Sequence, residues 1–198
     1  MMAACVKAQN ISGQLVDEQH KPLPYANIVL LQADSTFVNG AITDEKGDFR
    51  LMKDERGKLI RISSVGYLTL YKEVNENLGT IQMKPDAQLL GEVVVKANLP
   101  ITRAKGDAMV TTVTGTLLEK AGNANDLLDK IPNVSAEGGN VNVFGSGKAE
   151  IYINGRKMRS ASELEQLSSN NIKSVEVVHT PGARYDAEVK AVVRIHTK

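Results

Sequence analysis

The sequence predicts a mostly β protein of two units in series: a β-sandwich of about seven strands, then a small α/β unit built on a mixed sheet. Three observations carry this. Over residues 10–85, short runs rich in Val, Ile, Leu and Thr alternate with turn signals about every eight to twelve residues, the rhythm of a small sandwich. Over residues 101–198, strand runs are interrupted by two short helical signals. A joining stretch, residues 86–100, separates the two patterns.

In the first unit, Ile11-Ser12-Gly13-Gln14-Leu15-Val16 alternates as a half-buried strand does. Lys21-Pro22-Leu23-Pro24 ends it, because proline cannot donate to a central ladder. Tyr25–Leu31 reads as the second strand. Asp44-Glu45-Lys46-Gly47-Asp48 is a hairpin turn between Val38–Thr43 and Phe49–Met52. Asp54-Glu55-Arg56-Gly57-Lys58 turns the chain into Leu59–Val65. Thr69–Val74 and Gly79–Met83 complete the set.

The second unit opens with a strand at Ala108–Val113. Asn125-Asp126 can cap a short helix over Leu127–Ile131, which Pro132 helps to end. Val141–Phe144 and Ala149–Ile153 read as strands around Gly145-Ser146-Gly147. Asn154-Gly155 is a type I′ hairpin signal, since both central positions need positive φ. Ser160-Ala161-Ser162-Glu163 has the spacing of a capping box ahead of Leu164 and Leu167. Ile172–Val178 and Ala191–His196 are the last two strands.

Composition excludes several functions. The 198 residues carry 24 basic and 23 acidic side chains, a net charge of +1 that gives no footprint for nucleic acid. Five Tyr, three Phe and no Trp offer neither stacking platforms nor the girdles of a membrane barrel. No run reaches the roughly 18 apolar residues of a spanning helix. Cys5 is the only cysteine, so an intrachain disulfide is impossible. The opening, residues 1–9, reads as a signal remnant, a disordered start or, less simply, a segment lipid-anchored at Cys5.

The search for chemistry finds no catalytic, cofactor or metal constellation. His20, His179 and His196 have no metal-ligand spacing. Gly145-Ser146-Gly147-Lys148 lacks the full phosphate-loop spacing and leads into a strand rather than a helix. Asp44–Asp48 departs from the calcium-loop spacing, and Lys46 opposes a cation. Ser64 and Ser168-Ser169 lack a nucleophile-elbow context.

Two sets of motifs resemble known families. ISGQLVDEQHKPLPYANIVL, TDEKGDFRL and ISSVGYLTL, over residues 11 to about 85, resemble the carboxypeptidase-regulatory-like domain, a transthyretin-like or Ig-like sandwich. That domain is a non-catalytic appendage, so the resemblance implies no peptidase. ANDLLDKIPNVSAEGGNVNVFG, AEIYINGRKM, NIKSVEVV and PGARYDAEVKAVVRIHTK resemble the plug of TonB-dependent outer-membrane receptors of the Bacteroidetes type, in which the appendage precedes the plug. Asn133 stands where that family has Gly, and Asn also tolerates the left-handed conformation. Arg194 stands where the family often has Asn.

The resemblance implies a division into a start (1–9), a sandwich (10–85), a linker (86–100) and a plug (101–198). It implies a gate on the periplasmic side of the outer membrane, closing a transmembrane β-barrel that follows the plug and that these residues do not contain. The implied partners are that barrel, an unknown transported ligand and a TonB-type energy-coupling protein. The last would grip Glu92, Val93, Val94, Val95 and Lys96, a β-branched run suited to strand addition. The alternative for this run is an edge strand of a neighbouring unit. Asp126, Arg156, Glu176, Arg184, Tyr185 and Asp186 are ordinary caps and surface pairs on their own terms. In a plug, Arg156, Glu176 and Arg184 become barrel-facing candidates, because barrel interiors are polar. The rival reading is a stand-alone soluble periplasmic binding or signalling module.

Overall fold

A computed structural model describes residues 10–86, 100–182, 185 and 188–198. The first unit holds β1 (Asn10–Val16), β2 (Asn27–Leu31), β3 (Phe37–Ile42), β4 (Asp48–Met52), β5 (Leu59–Ser63), β6 (Leu70–Glu73) and β7 (Asn77–Gln82). They form a three-stranded sheet, β4-β1-β7, facing a four-stranded sheet, β3-β2-β5-β6. Ile11, Leu15, Ile28, Leu30, Phe49, Leu51, Ile60, Ile62 and Met83 fill the space between them. All pairings are antiparallel except β1 with β7. The Asp44 carboxylate fixes the β3–β4 turn by accepting from the Lys46 and Asp48 amides. Gly47 in that turn has φ +76°, and a Cβ there would lie 2.4 Å from the Leu15 carbonyl oxygen.

The second unit is one mixed sheet of eight strands, ordered β10-β11-β12-β15-β14-β9-β8, with β13 paired to β12. Its strands are β8 (Thr102–Lys105), β9 (Ala108–Thr112), β10 (Val134–Glu137), β11 (Asn140–Val143), β12 (Gly147–Ile153), β13 (Arg156–Lys157), β14 (Ile172–Val178) and β15 (Ala191–Thr197). Among the described residues of this unit, only β12 and β15 pair in parallel. Two helices, α1 (Ala124–Asp129) and α2 (Ser162–Gln166), cover one face. Leu127, Leu128, Ile131 and Leu164 pack there on Ala149, Ile151, Val175, Val177, Val193 and Ile195.

The predicted sandwich and mixed sheet are both present. The details differ at helix ends. Asn123, two residues before the expected cap, begins α1 by accepting from the Asp126 amide. The expected capping box of α2 does not form. Its N-cap is Ala161, in helical conformation and without a side-chain cap bond. Glu163 instead accepts from the Arg159 amide at 2.7 Å and pairs with Arg156. Asn154 and Gly155, at φ +49° and +82°, make the predicted turn. Asn133 takes φ +67°, the left-handed conformation expected of it. The strands β8 and β10 were not anticipated.

Candidate functional site

The sheet of the second unit has an outer face, opposite its helices, that sets polar groups around a small apolar cluster of Ala108, Val178 and Val192. Strand alternation sends Val175 and Val177 to the core and Glu176 to the other side. Register places Glu176 directly across from Arg194. The Arg194 guanidinium donates to Glu176 at 2.8 Å and, through two nitrogens, to the Tyr185 hydroxyl at 2.9 and 2.7 Å. It also lies 5.7 Å from the Tyr185 ring centroid. The Glu176 carboxylate, with the Tyr185 hydroxyl second, raises the Arg194 pKa further. His196 stands 3.8 Å from the same carboxylate. Tyr152 packs edge-on against Tyr185 and donates to Glu150, which Lys157 also approaches. Burial, reinforced by that bond to Glu150, raises the Tyr152 pKa.

Of the sequence candidates, Glu176 therefore sits within a pair rather than free. Arg156 lies on the β12–β13 hairpin and pairs with Glu163, whose carboxyl this side-chain bond pulls down to about 2. The structure does not bring Arg156 and Glu176 together. Arg184 and Asp186 lie outside the described residues, as do Glu92, Val93, Val94, Val95 and Lys96. Asp126 is exposed on α1 beside Gly122. Among the described residues no group of three His, Cys, Asp or Glu is placed to hold a metal ion. Among the same residues no helix is long and apolar enough to cross a membrane.

A second polar cluster was missed by the sequence reading. It lies where the sandwich meets the second unit. Arg61 on β5 is 4% exposed. It donates to Asp129 at 2.6 Å, Ser135 at 2.8 Å and Glu137 at 3.0 Å, all in the second unit. Asn27 on β2, 1% exposed, donates to the carbonyls of Asp129, Ile131 and Val134, and its oxygen accepts from the Asn133 amide. The Ser63 hydroxyl donates to the Asp129 carbonyl. Burial pushes the Asp129 carboxyl above the ordinary carboxylate range, with Arg61 pulling the other way. Alongside, Phe144 stacks on Phe37 with centroids 5.9 Å apart and packs on Val29 and Leu31. The signal was legible in NIVLL and LIRIS. An antiparallel strand with one wet face should alternate, yet β2 is buried at all five positions and β5 carries an arginine among isoleucines.

In comparison with known proteins, two family models match successive segments of the chain. Residues 11–95 match the CarboxypepD_reg-like domain, and residues 103–191 match the TonB-dependent receptor plug domain. No curated protein sequence matches the chain. Among solved structures, a ferric enterobactin receptor (PfeA) mutant from Pseudomonas aeruginosa is similar at 17% identity and a TM-score of 0.36. The siderophore receptor PirA from Acinetobacter baumannii is similar at 21% identity and the same score. Each likeness covers 47% of this chain and 17% of the receptor, so the chain spans a small part of either receptor's length. Two successive segments of the chain therefore match, in order, a CarboxypepD_reg-like domain and a TonB-dependent receptor plug domain.

Proposed function

We propose that the chain is the gate of a TonB-dependent outer-membrane receptor, with its regulatory-like domain on the periplasmic side. The observation that carries this is the order of the two matched domains, appendage then plug. The charged and aromatic outer face of the plug sheet supports it: Glu150, Tyr152, Glu176, Tyr185, Arg194 and His196 suit a polar, water-filled barrel wall. Wet polar contacts exchange with water more readily than a packed core, so such a face holds the plug while leaving it movable.

In this reading the plug closes the pore. A TonB-type protein adds a strand to Glu92–Lys96, and its pull, driven by the proton gradient, displaces the plug. The chain itself needs no nucleotide and performs no hydrolysis. Peptide cleavage by the pure protein, with zinc retained after dialysis, would contradict that part.

The test is accessibility. In a Cys5→Ser background, His196→Cys marks the plug face and Glu45→Cys marks an exposed turn of the appendage. The His196 side chain is 47% exposed in the isolated chain, so its Cys should react there with a membrane-impermeant maleimide. In opened outer-membrane fragments that expose both faces, from cells producing the protein from its own gene, it should be shielded, while Glu45→Cys still reacts from the periplasmic side. Equal labelling of the two positions in the membrane would overturn the reading.

A further inference from the structure

The outer face of the β3-β2-β5-β6 sheet is built to be covered. Three rows cross it: Ile42, Asn27 and Ser63; Gly40, Val29, Arg61 and Tyr71; Phe37, Leu31 and Leu59. Their neighbours along the strands, Ile28, Leu30, Ile60 and Ile62, fill the sandwich. The covering element is the turn joining α1 to β10. Asn27 gathers three of its carbonyls and one amide, and Arg61 takes Asp129 from its start and Ser135 and Glu137 from its end. Gly40 lets the Phe144 ring approach, since a Cβ there would stand 2.5 Å from it.

We propose that this face is a docking surface whose partner is the plug's own α1–β10 turn, and that the contact is a releasable latch between appendage and plug. Three observations make it a latch rather than a shared core. The sandwich core and the plug core are separate clusters, the first unit lending only the partly buried Val65 to the second. Charges and carbonyls make one side of the contact, and Phe144 on Val29, Leu31 and Phe37 makes the other. Solvent-reaching clefts of about 510 and 370 Å³ flank it, the first lined by Thr36, Phe37, Asn142 and Lys148, the second by Tyr71, Asn125 and Lys130. Glu137 borders both clefts, and its side chain is 40% exposed. Water can therefore enter as the ion pair opens, which a dry core does not permit.

The latch makes the appendage a brace. Docked, it fixes the carbonyls that end α1 and so holds one end of the plug's helical layer. Undocked, that turn loses its partners. The proposal is independent of the transport reading, because it concerns how the two units hold each other.

The experiment cuts the joining stretch. A protease site placed between residues 88 and 95 of the full chain is cleaved, and association of the two pieces is measured by size exclusion and titration. Circular dichroism of each separated piece reports its folding. The cut wild type should co-elute. Arg61→Met should weaken association about tenfold or more, and Gly40→Ala, which displaces Phe144 without touching the ion pair, should weaken it too. Arg61→Met with Asp129→Leu should recover much of the loss, since neither charge is then left dry. Separation of the wild-type pieces while both stay folded would overturn the proposal. So would an Arg61→Met effect within about twofold. Unfolding of either piece on separation would equally count against it, by showing one cooperative unit.

Discussion

At Arg61 the chain takes a guanidinium almost wholly out of water, which costs several kcal/mol before its partners repay it. One cation faces two carboxylates, Asp129 and Glu137. Removing the cation leaves Asp129 nearly dry and unpaired, whereas removing one carboxylate leaves a neutral pair. Arg61→Met should therefore cost about 3–5 kcal/mol in a urea melt, and Asp129→Asn distinctly less. The reverse order would refute this view of the cluster. The pH dependence has the matching sign. Burial raises the Asp129 carboxyl, so its contribution to stability grows as pH falls through its folded value, and mild acid should not open the latch. Glu163 behaves oppositely. Arg156 holds it at about 2, so its contribution is full above the ordinary value of 4.5 and is lost as pH falls toward 2. Faster exchange of the Arg159 amide over that window, with the latch amides unchanged, is the expected result. Simultaneous loss of both would contradict it.

At the scale of elements, the sequence was read correctly where one physical signal dominated. Ile172–Val178 matches β14 residue for residue, because its β-branched run has no competing turn chemistry. Asn154-Gly155 was legible because only residues tolerant of positive φ make a two-residue hairpin. Asn154→Val should cost about 1–2 kcal/mol, checked by denaturant melting; an unchanged midpoint would show that the hairpin does not set the β12–β13 register. Where several residues could do one job, the reading slipped. Asn123, Asn125 and Asp126 are all competent caps, and the backbone of α1 chose the first. The capping box of α2 failed because Glu163 had a stronger partner in Arg156. The strand β10 follows Pro132 and Asn133, which read as a stop, yet Val134 turns at once into the ladder with Val143. The joint between the units left its only trace in the buried faces of NIVLL and LIRIS, because its partners lie about 70 to 100 positions apart and no local period pairs them.

For the whole molecule, the sequence suggested two units joined by a linker, and the structure adds a polar, partly wet contact between them. In the proposed reading the chain is a gate, and a gate needs a handle. The candidate handle is Glu92–Lys96, at the end of the first matched segment and ahead of the second. Strand addition depends on backbone N–H groups, so it tolerates side-chain change and not their loss. The most direct measurement is calorimetric titration of this chain with the C-terminal periplasmic domain of the cell's TonB-type protein, with melting curves alongside. Wild type and Val94→Thr should bind with affinities within about threefold, while Val94→Pro should weaken binding about tenfold or more at an unchanged melting temperature. Unchanged affinity for Val94→Pro, or a fall in its melting temperature in place of its affinity, would contradict the account.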